Sequence, residues 1–201
     1  MSVLKKIWHK FDIVTWVLLI VNSLSYLYNI KVNGMRAITG LTTNQELVHI
    51  GATSHQHNLL TMFIAIFSHA SLLHFAINMI SLLLLSELIT HYFSKSWYIF
   101  TYLGSGIIGN IFSRIINPDL LTLGASGSIF GLVGMLVAGV ILRNILTEFK
   151  SMTSSILLLA GGYIVFTFID SNVNIVAHLT GLLVGMAVTF IFVYVFKDRV
   201  R

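Results

Sequence analysis

The stretch Leu121–Met135, LTLGASGSIFGLVGM, decides how this chain is read. It follows a polar bend, Asn117-Pro118-Asp119, and runs into nearly pure apolar sequence. Ser126 therefore stands among small residues where a membrane-type helix begins. Such a serine has two readings. It hydrogen-bonds a backbone carbonyl and lets another helix pack closely, or it is a nucleophile. The string GASG does not separate them, and it lacks the G-x-S-x-G spacing of soluble hydrolase elbows. The rest of the chain has to decide.

Working outward, the 201 residues are 56% hydrophobic and 9% charged, with a mean hydropathy of +0.89. A soluble domain carries roughly a quarter charged residues, so lipid is the main solvent here. There is no cysteine, which excludes disulfides, thiol catalysis and thiolate metal sites. The net charge of +5 does not point to nucleic acid, because the basic residues flank apolar spans and form no patch with aromatics.

A membrane helix needs about 20 mostly apolar residues. Six spans meet this: Phe11–Tyr28, Leu72–Ile89, Trp97–Arg114, Ser126–Leu142, Met152–Ile169 and Ile175–Phe196. The first follows Lys5, Lys6 and Lys10 but has no A-x-A site after it, so it reads as a retained helix and not a signal peptide. Continuous apolar spans predict an all-α polytopic membrane protein, since lipid offers no partner for an open sheet. One set of connecting segments holds Lys5, Lys6, Lys10, Lys95, Arg143, Lys150, Lys197, Arg199 and Arg201; the alternate set holds Lys31, Arg36 and Arg114. Nine against three places both termini, residues 1–10 and 197–201, in the cytoplasm. Tyr26 and Tyr28 are then expected at the outer interface, and Tyr92, Trp97 and Tyr98 at the inner one. Residues 1–201 read as a single domain, with one long outer connection over about 31–60.

Polar residues inside such spans are costly and face the bundle interior. In span two, HASLLHFAIN supplies His69, His74 and Asn78, the last two on one helix face. Span four opens with Ser126, and AHLTGLLVG in span six supplies His178. Ser126 lies 17 residues from Arg143, His178 lies 19 from Lys197, and Asn78 lies 17 from Lys95. At 1.5 Å per residue these are depths of about 25, 28 and 25 Å, the last if the helix of span two continues as far as Lys95. All three therefore fall in the outer half of the membrane. Gly127, Gly131 and Gly134 on span four, with Gly181 and Gly185 on span six, form small-residue stripes that permit close approach. Packing the stripes together would set Ser126 beside His178. Taken singly, His178 also reads as a packed polar contact or proton-relay element, and Asn78 as an interhelical hydrogen bond. Matched depth, stripes and complementary chemistry together favour a site.

These residues resemble the rhomboid family of intramembrane serine proteases in its minimal six-helix form. The likeness runs from about Leu59 to Met186, through SHASLLHFAINM, YLGSGIIGN, GASGSIFG and AHLTGLLVG, in the family's order. The resemblance implies a six-transmembrane-helix rhomboid-like bundle. It implies Ser126 as nucleophile, His178 as general base, and His74, Asn78 and the Ser126 backbone N–H around the oxyanion. Gly124, Gly127, Gly181 and Gly185 are supporting positions, and Phe130 is where an aromatic packs on the histidine. Two features depart from the family. The Trp-Arg pair of the first outer loop is absent near Leu60-Thr61, and Ser86-Glu87 replaces a glycine-rich end of span two.

The expected activity is a serine endopeptidase acting on transmembrane segments of membrane proteins, with no cofactor, metal or nucleic acid. The lipid bilayer is its other partner. No acid lies near His178 within span six; Asp170 would join only if its loop folded back, so a dyad is expected. His69 and Ser71 are expected to line a water-filled indentation above Ser126. Gly161-Gly162 in span five, beside Tyr163, Phe166 and Phe168, is either a flexure point that admits substrate or a packing contact. His49, His55 and His57 fit no standard metal spacing, and the terminal KDRVR reads as an inner-face anchor with the alternative of anionic-lipid binding. The competing classes are an inactive rhomboid-like binder or chaperone, a small transporter and a purely structural subunit. Retention of both Ser126 and His178 weighs against the first. A polar cluster that stops in the outer half weighs against a transport path. The compact design points to a prokaryotic plasma membrane.

Overall fold

The computed structural model describes residues 12–169 and 173–195, with side chains 166–169 outside the description. Among these residues the order is α1 (Ile13–Asn33), α2 (Met35–Thr39), α3 (Asn44–His49), α4 (Leu59–Ala65), α5 (Leu72–Tyr92), α6 (Lys95–Ile116), α7 (Ser126–Ile141), a 3₁₀ turn (Thr147–Lys150), α8 (Thr153–Ile169) and α9 (Ile175–Val195). The long helices follow the apolar runs, and their starts follow capping chemistry. Asp12 Oδ1 accepts from Val14 N at 2.9 Å to open α1, and Ser71 Oγ accepts from His74 N at 3.1 Å to open α5. Each side chain satisfies an amide that the helix itself cannot.

Helices α1, α5, α6 and α9 are long and apolar enough to cross a membrane, while α7 and α8 are shorter and equally apolar. The chain is thus an all-helical, multi-pass integral membrane protein. Leu24, Leu84 and Leu158 on these helices point outward, which suits a lipid-facing surface. Thirteen of the sixteen residues of α7 are buried, so α7 is the central helix and the others pack around it. Lys95 Nζ meets Asp12 Oδ2 at 2.9 Å, tying the starts of α1 and α6 together at the end opposite Ser126.

The connection over 31–60 is a folded cap. Thr43 and Glu46 form a reciprocal capping box on α3, and Thr53 pairs with Thr122 in an isolated antiparallel bridge. Where the family's Trp-Arg pair is missing, Thr61 Oγ1 bonds Thr53 Oγ1 at 2.9 Å. Arg114 also donates to the His57 carbonyl at 3.0 Å. The Thr53–Thr122 bridge holds the cap onto the loop that leads to Ser126, and the other two bonds tie it to α4 and α6.

Three sequence expectations are corrected. Tyr26 is buried, with its hydroxyl donating to the Ala37 carbonyl at 3.1 Å and its ring stacked on Phe75. Tyr98 is fully buried and bonded to Thr15. Neither is an interface anchor: a hydroxyl can enter an apolar interior when a partner is waiting there. The helix carrying Asn78 ends at Tyr92, so it does not run on to Lys95 as the depth count supposed. Of the departures in span two, Ser86 is buried and bonds its own helix at Leu83, while Glu87 points outward. The terminal segments 1–11 and 196–201 lie outside the described residues.

Candidate active site

Helix α7 begins without a side-chain cap, since Ala125 holds the N-cap position. The first-turn amides and Ser126 therefore face outward from the helix end. That end borders a cavity of about 450 Å³ lined by Ser126, His178, His74, Asn78, Ser71 and Phe130, among others. Gly124 shapes the approach. Its φ is +119°, a conformation that L side chains rarely adopt. A Cβ there would also stand 2.7 Å from the His74 ring and 3.8 Å from Ser126 Oγ. Glycine thus lets the imidazole and the hydroxyl close on one point. Its N–H donates to the Ala65 carbonyl at 2.8 Å, fixing the loop to α4.

His178 is 3% exposed and sits in the first turns of α9. The Phe130 ring lies parallel to it with centroids 4.2 Å apart and planes at 17°. The Tyr163 ring meets Phe130 edge-on at 5.7 Å. Backbone contact explains how α7 and α9 come so close. A Cβ on Gly181 would collide with the Gly127 carbonyl, and one on Gly185 with the Gly131 carbonyl. The two stripes interlock as the spacing predicts.

Asn78 is 4% exposed, and its Nδ2 donates to the His74 carbonyl at 2.9 Å. Ser126, His178, His74 and Asn78 are thus brought to one cavity. Ser71 lines it as well, but His69 does not: it is fully buried behind His74, ring to ring at 5.1 Å. Its Nδ1 is 3.2 Å from the Phe67 carbonyl. Asp170 lies outside the described residues. The loop histidines part company. His49 bonds Tyr28 at 3.1 Å, His55 the Pro118 carbonyl at 2.7 Å, and His57 Ser54 at 3.0 Å.

Cavity residues that the sequence did not announce are Gly40, Thr42 and Leu47 from the cap, and Asn174 before α9. Nothing in the composition of the cap marks the first three. Asn174 carried a signal, because an asparagine just before an apolar run is an N-cap candidate.

The rhomboid domain profile matches residues 56–195, more than half of the chain, and Ser126, His178, His74 and Asn78 all lie within it. The chain belongs to the rhomboid family. The rhomboid-family protein YdcA of Bacillus subtilis (strain 168) is 38% identical over 124 residues, which is 61% of this chain and 62% of YdcA. Rhomboid-like protease 3 of Toxoplasma gondii is 30% identical over 124 residues, 61% of this chain and 47% of that protein. Rhomboid protease GluP of Bacillus subtilis is 28% identical over 160 residues, 78% of this chain and 30% of GluP. The matched part of this rhomboid chain spans less than two thirds of each of these relatives.

Proposed function

We propose that this rhomboid is an intramembrane serine endopeptidase using a Ser126–His178 dyad. The observation that carries the reading is the shared cavity: an uncapped serine on α7 and an aromatic-backed histidine on α9 border one space. Relatives named as proteases support it. His178 takes the Ser126 Oγ proton as the oxygen attacks the scissile carbonyl, and the collapsing tetrahedral adduct expels the amine, which receives that proton. Water then attacks the acyl-enzyme, giving one proton to His178, which returns it to Ser126 Oγ. The Ser126 N–H, at a helix N-terminus, and the side chains of Asn78 and His74 face the developing oxyanion. No cofactor or metal takes part in these steps.

The six apolar helices α1 and α5–α9 are the proposed crossings, with both termini cytoplasmic. Substrates are transmembrane segments that unwind near the outer interface, and the host is a prokaryotic plasma membrane, in keeping with the Bacillus relatives. The open surroundings of Gly161 and Gly162, where a Cβ would meet nothing within 4 Å, favour flexure of α8 over a packing role.

The test uses purified protein in liposomes with a fluorogenic fluorophosphonate and a single-pass reporter substrate. Ser126→Ala and His178→Ala should each abolish labelling and reduce cleavage by about 10⁴-fold or more. Cleavage that persists in Ser126→Ala overturns the assignment. Labelling and cleavage both missing from the wild type would favour a non-proteolytic membrane-protein binder.

A further inference from the structure

Asn174 stands four residues before His178, and Thr122 stands four residues before Ser126. The two meet. Asn174 Nδ2 donates to Thr122 Oγ1 at 2.7 Å and to Ser113 Oγ of α6 at 2.6 Å. The Ser113 and Thr122 hydroxyls are 3.2 Å apart, closing a triangle. On its other side Asn174 Oδ1 accepts from Ala177 N at 3.0 Å, and its carbonyl accepts from His178 N at 3.1 Å. Thr122 is held in turn by both backbone bonds of its bridge to Thr53, 2.9 and 2.8 Å.

From this we propose that Asn174 is a positioning residue that sets the register between the nucleophile's loop and the base's helix. The inference rests on the reading of Ser126 and His178 as nucleophile and base. Asn174 borders the cavity, yet both of its amide protons and its carboxamide oxygen are already engaged, so it acts through its neighbours. The glycine seam fixes how closely α7 and α9 approach. It leaves open how far one slides along the other. A three-way bond at the mouth of the seam, four residues along the chain from each reactive side chain, removes that freedom. A misplacement of about 1 Å at a reacting pair costs about 100-fold in rate.

The experiment measures the second-order rate of fluorophosphonate labelling per folded molecule, beside the thermal unfolding midpoint, in detergent. Asn174→Ser keeps a capping hydroxyl but cannot span to both partners. Asn174→Asp keeps the cap and accepts from both hydroxyls. Thr122→Val cuts the link from the other end at nearly constant shape. Asn174→Ser and Thr122→Val should each slow labelling by about 10- to 100-fold, with unfolding midpoints moved by only about 2–4 °C. The double variant should be no slower than the slower single one, because both remove one link. Asn174→Asp should restore most of the wild-type rate. Wild-type labelling by folded Asn174→Ser, slowdowns that multiply in the double variant, or no recovery in Asn174→Asp would each overturn the proposal. If Asn174→Ser fails to fold, Thr122→Val decides by its own rate. Labelling of the wild type that does not depend on Ser126 would overturn the underlying dyad, a result distinct from any of these.

Discussion

Two regions of this rhomboid use the same residue to opposite ends. Along the α7–α9 seam, added Cβ atoms at Gly181 and Gly185 would run into backbone carbonyls of the facing helix, and one at Gly134 into the Leu182 carbonyl. In α8, a Cβ added at Gly161 or Gly162 would meet nothing within 4 Å, and Leu157 and Leu158 on the same helix are exposed. Glycine in the seam permits backbone contact, and glycine in α8 faces open space. Membrane helices gain little from hydrophobic burial against one another, so packing decides which of them are held. The proposed Ser126–His178 pair sits against the interlocked seam, and the proposed flexure belongs to the neighbouring wall of the cavity, where Tyr163 of α8 lines it.

That contrast can be broken at its strongest point. Gly185→Ala places a methyl against the Gly131 carbonyl, which should cost at least about 3 kcal/mol, the upper end of overpacking penalties. Loss of folded protein in detergent and of all labelling would be seen together. A normal unfolding midpoint would mean the seam is not rigid. Phe130 is the next test, because it touches both regions, stacked on His178 and edge-on to Tyr163. Phe130→Leu roughly conserves volume and should cost under about 1.5 kcal/mol of stability. Labelling should fall by about tenfold, the kinetic equivalent of one lost aromatic contact. Unchanged labelling would show that the seam alone orients the imidazole.

In α8 the sign reverses. Gly161→Ala and Gly162→Ala meet no obstacle and should each stabilise the helix by about 1 kcal/mol from propensity. Cleavage of the single-pass substrate should slow while labelling by the small probe stays unchanged. Equal effects on both would show that α8 flexure does not govern substrate access. The smallest effect is a control outside both regions. The Glu46 carboxylate is held below its ordinary range first by the Thr43 backbone N–H, then by the Thr43 hydroxyl and Arg36. A depressed folded value means the capping box contributes fully above the unfolded glutamate value and is lost as pH falls through the folded one. Glu46→Gln should therefore remove a slight acid-side destabilisation of the cap, read by amide exchange over α3, without touching the seam. An acid-side loss of protection that persists in Glu46→Gln would assign it to another group.

Much of this was legible beforehand. The helical spans follow apolar run length, since lipid forces every backbone group to be satisfied within its own segment. Ser126, His178, His74 and Asn78 were visible because polar residues in such runs are rare and costly. The glycine stripes announced the seam through their four-residue spacing. The two tyrosines misread as anchors show the limit. Tyr26 and Tyr98 are buried because Ala37 and Thr15 accept or share their hydroxyls, and no local pattern encodes a partner on another segment. His69 shares a motif with His74 and Asn78, yet it lies in the connection before α5, buried behind the His74 ring.

What the amino-acid order determined alone, then, is a set of apolar helical spans that carry Ser126, His178, His74 and Asn78, because hydropathy and helical period are local quantities. Only the tertiary structure decided which polar residues face one cavity, that the connection over 31–60 folds into a cap, and that Asn174 meets Thr122 and Ser113. Those are contacts between segments far apart in the chain. They depend on the angle and register at which the helices pack, which backbone and side-chain shape settle together.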